Sequence, residues 1–155
     1  MNMQERFAPN VGLYWGKPSV QQAAVPGGDQ AEDTKLVNAT MQRGGKGFKG
    51  RGYVDFKGRE GSVEWYQEND GGPFTAELVF RYASNDKNGP RKMALIVNDK
   101  KVQEIEFPKT GSWNSAWKTV KATAQIRSGA NEIQLKTTGS SGVNLDEMQL
   151  QSAEQ

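Results

Sequence analysis

The chain has 155 residues, a formal net charge of +2 and 35% hydrophobic residues, so its length suits one domain with room for a true core. It contains no cysteine and no histidine, which excludes disulfides, thiol chemistry, a Ser-His triad and His-ligated zinc. Any metal would have to be held by oxygens, which favours calcium, and no apolar run approaches the length of a membrane span.

Residues 1–28 are irregular. Pro9, Pro18, Pro26 and the Gly27-Gly28 pair punctuate them, and Tyr14 and Trp15 are their only large anchors. We read them as an N-terminal linker or extension ahead of a module at 29–155. No charged start is followed by an apolar block, so no signal peptide is visible.

From Asp29 onward, short apolar–polar alternations are separated by turn signals. Strands are expected at 30–41, 51–57 and 61–68. In Thr75 to Ala83, the residues Ala76, Leu78, Phe80 and Tyr82 share one face. Met93, Leu95 and Val97 share another, and the turn Asn98-Asp99-Lys100-Lys101 returns the chain through Val102 to Phe107 as a hairpin. Val120, Ala122, Ala124 and Ile126 repeat the period of two. Ser128 to Asn131 is a turn, Ile133 and Leu135 alternate again, and Leu145 to Leu150 closes the chain. Roughly nine short antiparallel strands at even spacing, with no sustained helical period, predict an all-β sandwich or jelly roll.

Four features bear on chemistry. The stretch Ile105 to Val120 holds Trp113 in a Gly/Ser/Asn loop and Trp117 at a strand opening. An aromatic held in a loop can stack on the C–H face of a sugar ring, or it can fold over the sandwich edge as a lid. Trp117 is expected in the core. The loop Arg43 to Tyr53, RGGKGFKGRGY, carries four basic residues, no acid and the aromatics Phe48 and Tyr53. Such a loop can bind single-stranded nucleic acid, can be a solvated hairpin loop, or can be a basic rim that attracts an acidic ligand. Arg51 to Phe56 lacks two residues of the RNA-recognition pattern and has no helices around it, which rejects that match.

The third feature is Gln30-Ala31-Glu32-Asp33, with Asp146 far along the chain. Residues 30 and 32 of a strand point to one side, and two such oxygens with a distant Asp and backbone carbonyls suit calcium, or these are acids at strand ends that are simply solvated. The fourth is Asn144, whose amide both donates and accepts and so suits a sugar hydroxyl or a turn. No paired carboxylates and no nucleophile–base pair are discernible, so catalysis is not expected.

In their order along the chain these pieces resemble carbohydrate-binding module family 35 and its close relative, family 6. Gln30-Ala31-Glu32-Asp33 resembles the family's opening Glu-Ala-Glu-Asp. Gly50-Arg51-Gly52-Tyr53-Val54-Asp55-Phe56 resembles its Gly-x-Gly-Tyr-Val-Asp-Phe strand. Val63-Glu64-Trp65, Phe80-Arg81-Tyr82-Ala83, Gly89-Pro90-Arg91, Phe107-Pro108-x-Thr110-Gly111-x-Trp113 and Trp117-x-Thr119-Val120 follow. Gly129-Ala130-Asn131-Glu132-Ile133 and Asn144-Leu145-Asp146 complete the series.

The resemblance implies a β-sandwich jelly roll without catalysis that tethers a polysaccharide-active enzyme to its glycan, in a secreted or extracellular setting. It implies a sugar in a cleft at one end of the sandwich, flanked by Tyr53 and Trp113 and hydrogen-bonded by Asn144. The loop's own composition, not the resemblance, adds Phe48, Lys49 and Arg51 as candidate ligand-binding residues. The resemblance also implies a structural calcium at Gln30, Glu32 and Asp146, with a carbonyl from the loop near Arg51. Two departures stand out. Gln30 replaces the first family Glu, which removes a charge from the calcium set. The loop usually rich in Ser, Gly and Tyr is basic here, which points toward acidic glycans. A polyanion or nucleic-acid binder, and a structural domain whose cleft is filled by Tyr14 or Trp15, are the alternative readings.

Overall fold

The computed structural model describes residues 29–30, 34–139 and 141–153. The linker at 1–28, with Tyr14 and Trp15, lies outside the described residues, as does Glu32. Eleven strands occur among the described residues, and no helix there is long and apolar enough to cross a membrane. They are β1 (Asp29–Gln30), β2 (Lys35–Val37), β3 (Ala39–Gln42), β4 (Tyr53–Phe56), β5 (Ser62–Asn69), β6 (Phe74–Ala83), β7 (Arg91–Val97), β8 (Lys100–Phe107), β9 (Lys118–Ile126), β10 (Gly129–Thr137) and β11 (Asn144–Ser152).

Two antiparallel sheets face each other. One runs β9-β6-β11-β4-β3, with β1 also paired to β11; the other runs β2-β5-β10-β7-β8. The inward residues of β6 are Ala76, Leu78, Phe80 and Tyr82, all essentially buried, as the period of two requires. They meet Val63, Trp65, Met93, Leu95, Phe107, Ile133 and Leu135 of the other sheet in one core. Trp65 lies 5.8 Å from Phe80 and Tyr82 lies 5.0 Å from Phe107, ring centroid to ring centroid. These pairs join the sheets, the first tilted and the second in the edge contact that aromatic quadrupoles favour.

Three local differences from the sequence reading have clear causes. The segment expected as one strand at 30–41 is divided at Asn38, which takes a left-handed φ of 49° between β2 in one sheet and β3 in the other. Asn tolerates that conformation better than most residues. The β7–β8 turn is shorter than expected: Asn98 and Asp99 alone form it, with φ of 53° and 69°, the pattern of a type I′ hairpin. The β9–β10 turn is likewise only Arg127 and Ser128.

Candidate functional site

The connections β3–β4, β6–β7, β8–β9 and β10–β11 meet at one end of the sandwich. Trp113 stands in the β8–β9 connection, on a turn knotted by hydroxyls. Ser112 Oγ accepts the N–H groups of Asn114 and Ser115, each at 3.1 Å. Thr110 Oγ1 lies 2.6 Å from the Ala116 carbonyl and also contacts Ser84. The Trp113 side chain is half-buried, not held out in full. Its carbonyl accepts Asn144 Nδ2 at 2.7 Å. One ring face is covered by the guanidinium of Arg91, centred 4.6 Å above it.

Trp117, expected in the core, is not there. It precedes β9, is half-buried, and packs at the loop end. Its ring meets Tyr53 edge-on at 5.4 Å, its Nε1 donates to the Lys46 carbonyl at 2.8 Å, and the Arg81 guanidinium lies 5.5 Å from it. An indole can bury its body and still needs an acceptor for its N–H; the incoming β3–β4 loop supplies one. Tyr53 is only 5% exposed, held between Trp117 and Phe48, whose ring centroid is 5.6 Å away. It forms the floor of an aromatic cluster and offers no free face as a flank.

The basic loop is pinned, not a free hairpin loop. Lys46 N–H donates to the Asn114 carbonyl at 2.8 Å, and Arg81 Nη1 donates to the Gly47 carbonyl at 2.9 Å. Gly45 and Gly47 both have φ of +88°, and a side chain at Gly45 would run into the Asn114 carbonyl. Arg43, Lys46, Lys49 and Arg51 remain exposed on this anchored loop, whereas Phe48, Tyr53 and Trp117 pack on one another. Single-strand binding uses open aromatic faces, and this cluster does not present them.

Behind the loop lie two consecutive buried acids, Asp146 and Glu147. The β11 register shifts between Leu145 and Glu147, a β-bulge, so Asp146 has no paired partner across to β6. Asp146 Oδ2 is 2.6 Å from Arg81 Nη1, and both its oxygens accept Lys49 N–H at 3.1 Å. Lys49 Nζ is 3.0 Å from Glu147 Oε2. Burial pushes the Asp146 carboxyl above its ordinary range, outweighing the pull of Arg81 and of the Lys49 N–H. Gln30 lies beside this spot through its backbone pairing with Glu147. Among the described residues no three acidic side chains form a metal cluster.

The structure therefore brings together Trp113, Asn144, Tyr53, Phe48 and Lys49, and Asp146 behind them, with Arg51 exposed on the loop. Sequence reasoning missed Arg81, Arg91, Asp86, Asn114 and Glu147. One signal was available: apolar positions switch from odd (Leu145) to even (Met148, Leu150), which marks a bulge between them.

No family model matches the chain. It is 44% identical over 151 residues to a protein of Formosa agariphila named "Putative beta-glucuronidase", covering 96% of this chain and 15% of that protein. The chain thus spans a small part of that relative's length. A solved family 35 carbohydrate-binding module from Paenibacillus barcinonensis is 30% identical, with a TM-score of 0.74, covering 84% of this chain and 99% of the module. One from Clostridium thermocellum is 29% identical with a TM-score of 0.76, over the same shares. An all-β jelly roll and likeness along the whole length of a solved module lead to one statement: the chain belongs to carbohydrate-binding module family 35, and is a noncatalytic sugar-binding domain.

Proposed function

We propose that the module binds an acidic glycan at this loop end. Trp113 is the platform, Asn144 Oδ1 accepts from the sugar, and Lys49 and Arg51 attract its carboxylate. Phe48 and Tyr53 support the site from the basic loop. The observation that carries the reading is the pinned loop itself: four exposed basic residues and no acid, docked through Lys46 against the turn that holds Trp113. Local charge of one sign raises the concentration of an oppositely charged ligand. The name of the Formosa agariphila relative, which refers to glucuronic acid chemistry, agrees with this.

A small site gains little binding energy, and tethering multiplies it. We therefore infer that the module belongs to a longer, extracellular polysaccharide-active protein, whose catalytic part it brings to the glycan. Calorimetry against neutral and uronic-acid oligosaccharides tests the ligand. Binding to the uronic-acid set, weakened by salt, is expected. Absence of heat with every glycan sinks the proposal.

A structural calcium held by Gln30, Glu32, Asp146 and a carbonyl near Arg51 is part of the same reading. Its support is chemical: adjacent buried acids beside β1 are hard oxygen donors of the type calcium takes. The ion would tie β1 to β11 and the basic loop. Calcium added after chelation should raise the unfolding temperature of the full chain. An unchanged midpoint would reject the ion.

A further inference from the structure

We infer that Arg91 is a positioning residue for Trp113, and that its flat guanidinium, not its charge alone, sets the platform. This rests on the reading of Trp113 as the ligand platform.

Arg91 opens β7 and is the point where three loops join. Its Nε donates to Asp86 Oδ2 at 2.9 Å, in the β6–β7 connection. Its Nη1 lies 2.7 Å from the Gly142 carbonyl and 3.2 Å from that of Ser141, in the β10–β11 connection. Its face covers Trp113, in the β8–β9 connection. Asp86 is itself fixed, because its carboxylate accepts Asn88 N–H at 2.9 Å and its carbonyl accepts Gly89 N–H at 3.2 Å. Both partners of this ion pair are only 19% exposed.

A guanidinium held by Asp86 and by the two carbonyls is fixed in place. The Trp113 ring, with the guanidinium carbon 4.6 Å from its centroid, is therefore held as well. The bond from Asn144 Nδ2 is to the Trp113 backbone and does not itself fix the ring. Lysine carries the same charge but no plane. Its tetrahedral ammonium cannot bridge Asp86 and two carbonyls while stacking on an indole. With Arg91 on one face, the opposite face is the one left for a sugar.

The test compares wild type, Arg91→Lys, Arg91→Met and Asp86→Asn, each with Trp113 present and in a Trp113→Phe background. Acrylamide quenching of fluorescence and calorimetric affinity for a glucuronic-acid oligosaccharide are measured. Both Arg91 variants should lose about tenfold in affinity, the scale of one stacked cation contact. Quenching should rise in both, and the rise should vanish in the Trp113→Phe background. Asp86→Asn should give a smaller rise and decides the matter should Arg91→Met not fold. Full affinity in Arg91→Lys, or quenching that does not change with Trp113 present, overturns the inference. If wild type binds no glycan, the ligand proposal fails, while the quenching arm still decides whether Arg91 orients the ring.

Discussion

Arg81 Nη1 lies 2.6 Å from Asp146 Oδ2, and the two are adjacent because β11 bulges at Asp146. The bulge turns two consecutive acids toward the basic loop, where Lys49 N–H and Lys49 Nζ meet them. The ion pair thus holds the loop, and its Arg81 guanidinium lies over the ring of Trp117.

Removing either partner of this pair leaves the other without its counter-charge, but not equally. Asp146 is fully buried, whereas the Arg81 side chain is 22% exposed and can reach water. In chelated, calcium-free protein, Arg81→Met should cost about 3 kcal/mol, and Asp146→Asn clearly less, since a neutral amide still accepts Lys49 N–H. Denaturant midpoints of the two variants check this; equal costs would contradict it.

Trp65 and Trp117 should respond differently to truncation. Trp65 is 2% exposed against Phe80 in the core, so Trp65→Ala should cost roughly 3–5 kcal/mol. Trp117 closes only the loop end. Trp117→Ala should leave the core transition largely intact and speed tryptic cleavage at Arg43, Lys46 and Arg51. Equal loss of stability would place Trp117 in the core after all.

Two glycines with positive φ separate conformational cost from collision. Gly58 has φ of +97° and open space around it, so Gly58→Ala should cost about 1 kcal/mol. Gly45 has φ of +88° and the Asn114 carbonyl against it. Gly45→Ala should therefore also undock Lys46 from Asn114 and lower glycan affinity, which Gly58→Ala should not. Thermal melts and calorimetry on both variants distinguish them.

Acid should spare the Asp86–Arg91–Trp113 arrangement until late. The N–H of Asn88 and then Arg91 hold the Asp86 carboxyl below its ordinary range. A carboxyl with a lowered folded pKa contributes stability above its unfolded pKa, and loses it as pH falls through the folded one. The acid transition in Trp113 fluorescence, taken as the difference from Trp113→Phe, should have its midpoint below 3.8, the ordinary aspartate value. A midpoint at or above that value would contradict the shift.

The sequence by itself determined the sandwich. Alternation in β6 and β9, turn residues between strands, and the order of family motifs follow from local chemistry, because a period of two assigns each side chain to a face wherever the strand lies. Even Asn38 and the Asn98-Asp99 turn use residues whose tolerance for positive φ is a local property. The site was less legible. Lys49 meets Asp146 across 97 residues of chain, and Asn144 reaches Trp113 across 31. No local pattern encodes such pairings; they exist only when four loops dock on a finished sandwich. Docking moved Trp117 from the expected core to the loop end and closed Tyr53 beneath it. It also placed Arg91 over one face of Trp113. How each tryptophan packs was therefore decided by tertiary structure, because loop burial depends on what neighbouring loops bring against it.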